Sequence, residues 1–270
     1  MRRALACFMV ATASAARKFL ATGVVDTWRR LNTLKAKGFA PRHVLDVGAN
    51  QGNWATKVAT VWPSPNTTYF MIDANPAHAP SLNRTGFEFA ISLLGDGARN
   101  VSMHEATPGR NFNGRSEGNS LFEEQSAFYK SPGKFATVER PMRTLDQLLA
   151  ESAPRRRFRM LKLDVQGAEL LVLRGAAATL THVEVLWIET SVLPYSVGAP
   201  LLFEVAAHVQ TLGFQLYDIL QMYYTSGAHQ SLYQLDTLFV RTGSKLWAEE
   251  ATGMKPPAAW PTCRACDAAG

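Results

Sequence analysis

Cysteine is missing from residue 8 to residue 262 of this 270-residue chain; the three present are Cys7, Cys263 and Cys266. Disulfides therefore do not hold the body together, and its stability has to come from an apolar core. Cys263-x-x-Cys266 has no second ligand pair nearby, so a zinc site is not expected there, nor any other metal. No apolar run approaches the roughly 20 residues that a membrane-spanning helix requires. Neither sign of charge dominates, with 28 Lys and Arg against 22 Asp and Glu. Nine of the basic residues fall within the first 42 positions, where Asp26 is the lone acid. No basic stripe interleaves with aromatics in the body, so a nucleic-acid partner is not indicated. What remains is a globular composition, 47% hydrophobic and 19% charged, long enough for one large α/β domain.

The most informative stretch runs from His43 to Trp54. Val44, Leu45 and Val47 suit a buried parallel strand, and Gly48 and Gly52 allow positive φ in the turn that follows. A helix begun past Gly52 would aim free N–H groups and its positive dipole end into that turn. Asp46-x-Gly48-x-Asn50-x-Gly52 differs from the dinucleotide fingerprint Gly-x-Gly-x-x-Gly. An acid two residues before the first glycine instead suits a cofactor whose amino-acid end carries an ammonium, as S-adenosylmethionine does. The alternative is a turn whose glycines only bend the chain. Thr67 to Asp73 reads as the next strand, one βαβ unit on, and its terminal acid falls where such folds hold ribose hydroxyls. Ser92, closing a strand from Phe87, would approach the adenine ring.

Before this unit a helix is expected from Val24 to Lys37, ending at Gly38. Met1 to Ala15 reads as a secretory signal, an organellar transit peptide or a plain helix. The compartment stays open between the cytoplasm and such targeting. After the unit, the segment from Thr107 to Pro132 reads as a long loop carrying glycines and aromatics, the profile of a lid over an acceptor. Thr137 to Arg143 is a strand and Thr144 an N-cap. Arg155-Arg156-Arg157 reads as a solvated turn.

Phe158 to Glu169 is the second informative stretch. A strand ends at Asp164, and period two places Lys162 and Asp164 on one side of it. A lysine within an apolar strand needs a carboxylate, here Asp164 or Glu169. Val183 to Glu189 is another apolar strand ending in an acid. Four strand-end acids, Asp46, Asp73, Asp164 and Glu189, thus face one crevice, where open α/β sheets bind ligands. A helix from Leu201 to Leu212 and two strands, Phe214 to Leu220 and Tyr233 to Val240, close the chain as an antiparallel return.

Asp46 to Gly52, Lys162-Leu163-Asp164-Val165-Gln166-Gly167-Ala168-Glu169 with Leu173-Arg174-Gly175, and Asp236 to Arg241 together resemble the FkbM-type methyltransferase family. Arg143-Thr144-Leu145-Asp146 and Gly118-Asn119-Ser120-Leu121 resemble it too. The resemblance spans about residues 42 to 241. It implies a class I, Rossmann-like fold with a mostly parallel doubly wound sheet and an antiparallel last strand. It also implies S-adenosylmethionine as cofactor and a hydroxyl on a sugar or natural product as acceptor. The family commonly carries Glu at the position of Gln166, and Glu-Pro-x-Pro where this chain has Asp73-Ala74-Asn75-Pro76. The first difference removes a negative charge near the acceptor; the second leaves a shorter arm for the ribose.

The resulting assignment divides the chain into an N-terminal helical or targeting segment (1–41), a methyltransferase domain (42–242) and a loosely ordered tail (243–270). Asp46, Gly48, Asn50, Gly52, Asp73 and Ser92 are expected to bind the cofactor. Asp164, Lys162 and Glu189 are expected at the reacting centre, with Asp164 as base and Lys162 keeping it ionised. A small-molecule or glycan acceptor is the expected partner, and nothing in the sequence speaks to oligomeric state. The competing readings are a nucleic-acid methyltransferase and a silent fold-mate that binds the donor without turnover.

Overall fold

The computed structural model describes residues 27–107, 119–125, 133, 135–225 and 230–247. The Met1–Ala15 segment, the three cysteines and most of the expected lid lie outside them.

In chain order the elements are α1 (Thr27–Ala36), β1 (His43–Val47), α2 (Asn53–Val58), β2 (Thr68–Asp73), α3 (Ala79–Arg84), β3 (Glu88–Ile91) and β4 (Leu93–Leu94). Next come β5 (Arg99–Ala106), β6 (Phe135–Arg143), α4 (Leu145–Ser152), β7 (Met160–Leu163), α5 (Glu169–Arg174) and α6 (Ala177–Leu180). The last are β8 (Val185–Ser191), α7 (Leu202–Thr211), β9 (Phe214–Tyr224) and β10 (Leu232–Arg241). Seven strands form one sheet in the order β3-β2-β1-β7-β8-β10-β9, and β4-β6-β5 form a second, smaller one. Pairing from β3 through β8 is parallel, whereas β10 runs antiparallel to both β8 and β9.

The order of the strands leaves β1 in the middle, with β2 on one side and β7 on the other. Crossovers leave it in opposite directions, which opens a crevice beyond the carboxyl ends of β1 and β7. Both faces of the large sheet are covered, so its strands read as nearly continuous apolar runs. On one face Leu45, Val47, Phe70, Leu161, Leu163, Leu186 and Ile188 pack against α4, α5 and α7. On the other, Val44, Tyr69, Met71, Met160, Val185 and Leu238 pack against α1, α2 and α3, where Leu31 and Leu34 of α1 are fully buried. Each such buried side chain contributes roughly 1.5–3 kcal/mol of transfer free energy.

Register explains how charge enters this second face. Asp46 pairs with Lys162, and Lys162 with Trp187, so the three stand side by side across β1, β7 and β8. Two residues further along, on the same face, come Asp164 and Glu189. Because β10 is antiparallel, its beginning lies beside the end of β8, and Asp236 stands opposite Glu189.

Some elements depart from the sequence reading. The helix expected from Pro76 to about Arg84 is split into a 3-10 turn at Pro76–His78, capped by the Asn75 side chain, and α3. Strand β8 continues past Glu189 to Ser191, and β9 continues to Tyr224, because β10 pairs with both along most of its length. Thr144 does N-cap α4, in a capping box with Gln147. Lys245–Trp247 forms a further 3-10 turn, with Leu246 buried and Trp247 packed edge-on against Tyr217.

Candidate active site

The turn after β1 is built on two glycines that nothing larger could replace. Gly48 has φ 78°, and a Cβ there would stand 1.8 Å from the carbonyl oxygen of Asp164. Gly52 has φ 79°, and its Cβ would meet Thr85 at 2.7 Å. The turn is latched to β2: Gly48 and Ala49 donate to the Ile72 carbonyl at 2.9 and 3.0 Å, and Asn50 N–H donates to Asp73 Oδ2 at 2.7 Å. Asn50 itself adopts φ 51°, in the left-handed region that favours glycine.

Four buried polar atoms around this turn find no hydrogen-bond partner among the described residues: both carboxylate oxygens of Asp46, Asn50 Oδ1 and Trp54 Nε1. Unsatisfied buried groups are rare and point to a ligand that completes them. Asp46 is fully buried, and its nearest cation, the Lys162 ammonium, stays 3.5 Å away. Burial pushes the Asp46 pKa above the usual carboxylate range, with Lys162 opposing. Acceptors at Asp46 and Asn50 suit the ammonium end of S-adenosylmethionine, so the residues present fit this group.

Asp73 is already heavily engaged. Its Oδ1 accepts from Asn75 N–H at 2.8 Å and lies 2.9 Å from His78 Nδ1, while Oδ2 accepts from Asn50. A carboxylate offers about four lone-pair sites, so Oδ2 keeps one for an outside donor. Ser92 follows β3 and donates its N–H to the Asp73 carbonyl at 2.8 Å, which sets it beside the acid.

The carboxylate chain beyond β7 and β8 is continuous. Lys162 donates to Asp164 Oδ2 at 3.0 Å; Glu169, the other partner considered, instead accepts from the N–H groups of Val165 and Gly167. Gln166, at φ 53°, donates through Nε2 to Asp164 Oδ1 at 2.9 Å and to Glu189 Oε2 at 2.8 Å. Gln234 then donates to the same Glu189 oxygen at 3.1 Å and to the Tyr195 hydroxyl at 2.7 Å. Asp236 accepts from Trp187 Nε1 at 3.1 Å and from the Tyr223 hydroxyl at 2.9 Å.

These contacts sort the carboxyls into two states. Burial works against charge on Asp164, but Lys162 outweighs it and holds the pKa below the usual carboxylate range. Burial and the Asp164 charge together push Glu189 well above that range. Burial also disfavours the Lys162 ammonium, yet Asp164 and Asp46 more than compensate. The surroundings drive the two carboxyls apart: Lys162 favours the charged form of Asp164, while burial and the Asp164 charge favour the neutral form of Glu189. The Asp164 side chain keeps 30% of its surface accessible, which opens it to the crevice.

The described part of the expected lid walls this crevice. Ser120 Oγ donates to the Gln166 carbonyl at 2.7 Å, and Phe122 packs beside Gly167. Backbone bonds from Gln125 to Tyr195 and from Val197 to Glu123 tie the segment to the loop after β8.

All nine expected site residues therefore line one region: Asp46, Gly48, Asn50, Gly52, Asp73 and Ser92 around the turn, Lys162, Asp164 and Glu189 beside it. Sequence reasoning missed Trp54, Trp187, Tyr195, Tyr223 and Gln234. It had noted Asp236 only as part of a closing motif.

A central β1 flanked by βαβ units, an acid-and-glycine turn at the switch point and an antiparallel last strand define a class I methyltransferase fold. A family model described as the methyltransferase FkbM domain matches residues 46–216, and the chain belongs to that family. It is accordingly an S-adenosylmethionine-dependent methyltransferase. No curated protein matched the chain. Similar solved structures include the precorrin-6y C5,15-methyltransferase of Geobacter metallireducens, at 10% identity over 83% of this chain and 94% of that one, TM-score 0.41. The O-methyltransferase TomG of Streptomyces achromogenes, involved in tomaymycin synthesis, is 16% identical over 79% of each chain, TM-score 0.42.

Proposed function

We propose that the protein methylates a hydroxyl oxygen of a small-molecule or glycan acceptor, with Asp164 as the proton acceptor. The observation that carries this reading is the Lys162–Asp164 pair at 3.0 Å, held against the glycine turn. S-adenosylmethionine supplies the methyl group on a sulfonium. In this reading Asp46, Gly48, Asn50 and Gly52 hold its amino-acid end, Asp73 accepts from one ribose hydroxyl through Oδ2, and Ser92 lies near the adenine. The chain's own task is to align the acceptor and remove its proton.

An alcohol loses its proton only as the new C–O bond forms, so the base has to be ionised and open to the acceptor. Asp164 meets both requirements, because Lys162 stabilises its charge and its side chain reaches the crevice. Glu189, whose neutral form burial and the Asp164 charge favour, orients Asp164 without adding a second full negative charge beside it. Gln166 bridges the two carboxyls with one amide nitrogen, a task that an ionised Glu at that position could not perform.

The test is a mass-spectrometric screen for products heavier by one methylene unit across sugars, lipids and polyketides, followed by Asp164→Asn. That variant should keep donor affinity and lose about 10²–10⁴-fold in the chemical step, the usual share of general acid–base catalysis. Wild-type turnover in Asp164→Asn would transfer the base to Glu189. Methylation confined to nitrogen or carbon acceptors would reject the hydroxyl reading.

A further inference from the structure

At the opposite end of the sheet, beneath the amino ends of β1, β7 and β8, a cleft of about 580 Å³ is lined by Arg42, His43, Arg155, Arg157, Arg159 and His182. Adjacent strands supply it: His43 opens β1, Arg159 directly precedes β7, and His182 lies in the turn before β8. Their backbones are joined, since Arg159 N–H donates to the His43 carbonyl at 3.2 Å. β1 has five residues rising about 3.3 Å each, so roughly 13 Å of strand separates this cleft from the glycine turn. A small acceptor bound here could not reach the methyl-transfer centre.

Charge in the cleft is of one sign. Arg159 pairs with Glu184, which lies outside the lining, and lies over the Phe39 ring at 5.4 Å. Arg42, Arg155 and Arg157 make no ion pair or side-chain hydrogen bond among the described residues. Burial, then the Arg156 and Arg42 charges, lower the His43 pKa, with Glu88 opposing. Arg155 also holds φ 69°. Among the described residues the only other non-glycine positions at positive φ are Asn50 and Gln166, both in the methyl-transfer crevice. Strained backbone of this kind gathers where a fold positions side chains for a ligand.

We propose that this cleft is a second binding site, for a small molecule carrying a di- or triphosphate group. Arg42, Arg155 and Arg157 are solvent-exposed, in keeping with the solvated turn expected at Arg155–Arg157, and no carboxylate among the described residues pairs with them, so their charge is open to an anion at the rim of the cleft. Each planar fork takes two oxygens of a phosphate, and basic side chains spread around the cleft from three separate segments suit a run of phosphates better than a single one. The lining carries no Phe, Tyr or Trp, and Glu88 and Glu184, paired with Arg156 and Arg159, would repel an extended nucleic-acid backbone passing alongside.

Calorimetry on the full chain at low ionic strength tests this with inorganic tripolyphosphate and, separately, ATP. Tripolyphosphate should bind at one per chain, and orthophosphate far more weakly. The Arg155→Gln/Arg157→Gln double variant and Arg42→Gln should each weaken binding by at least about tenfold, the scale of lost charge-assisted contacts. Their S-adenosylmethionine affinity should stay unchanged, which reports an intact fold and separates this site from the donor turn. Equal affinity for the two probes would assign recognition to the phosphates alone, and tighter ATP binding would assign it to a nucleotide; either supports the site. The proposal is overturned by heats that do not saturate, or by tripolyphosphate affinity that the variants leave unaltered. Tighter binding of a single-stranded RNA oligonucleotide than of tripolyphosphate, lost in the same variants, would also overturn it and make the cleft a nucleic-acid surface.

Discussion

Replacing Lys162 by Met removes the one cation that touches both Asp46 and Asp164 while keeping a stem of similar length beneath Trp54. Its nitrogen stands 3.0 Å from Asp164 and 3.5 Å from Asp46, attractions of about 5 kcal/mol each at an effective dielectric of about 20. Desolvation of the buried ammonium opposes that gross figure. The variant also has an escape, because the cluster can take up one further proton in place of the lost cation. With a free carboxyl pKa of about 4, that uptake costs about 4 kcal/mol at pH 7 and about 1.5 kcal/mol at pH 5. The destabilisation relative to wild type should therefore be near 4 kcal/mol at neutral pH and shrink as pH falls. The folded variant then binds one more proton than its unfolded chain between about pH 4 and its raised folded pKa. Its stability declines with rising pH across that window, by about 1.4 kcal/mol per unit. Urea unfolding at both pH values measures this, and Asp46→Asn added to Lys162→Met should restore most of the loss at pH 7. An equal loss at both pH values would refute the charge account and reduce Lys162 to a packing residue.

Gly48→Ala should not yield a donor-binding protein, since its Cβ would lie 1.8 Å from backbone at Asp164; full S-adenosylmethionine binding by calorimetry would contradict the close approach. Asp73→Ala should weaken donor binding by roughly 1–3 kcal/mol, partly through the unlatched Asn50 turn, and Asp73→Asn should weaken it less because one oxygen remains to accept. Burial raises the Glu169 pKa to about 7 from an ordinary 4.5, so its contribution to stability is present below about pH 4.5 and declines as pH rises through 7. Glu169→Gln retains Oε1 for the Val165 and Gly167 N–H groups and should flatten the stability profile between about pH 5 and pH 8. A profile as steep as that of wild type would place the titration elsewhere.

Much of the fold was open to sequence reasoning because parallel strands buried on both faces leave long apolar runs bounded by turn residues. Val44 to Val47, Met160 to Leu163 and Val185 to Ile188 are of this kind, and their acids mark the carboxyl ends. Period two alone put Lys162 beside Asp164. It could not choose between Asp164 and Glu169 as partner, because Glu169 turns back to the free N–H groups at the start of its own helix. The two-residue β4 carries too few positions to show any period, and it forms only because β6 offers an edge to pair with.

Part of the site that the sequence did not reveal comes from the one reversal of direction in the sheet. In an all-parallel sheet every strand would bring its carboxyl end to the crevice, and acids at strand ends would be the whole signal. β10 is antiparallel, so its beginning reaches the crevice, and Gln234 and Asp236 arrive there from its third and fifth positions. Neither stands at the carboxyl end of its strand, so position alone does not point to the crevice. A buried Asp opposite a buried Glu would be ruinous if both were charged. Trp187 and Tyr223 satisfy the Asp236 oxygens, while Gln166 and Gln234 satisfy Glu189. Those four donors come from four separate segments and meet only in the folded chain. The carboxyl whose charged form is favoured is the one beside the lysine, and this neighbour relation across β1 and β7 is what sets Asp164 apart from the other strand-end acids.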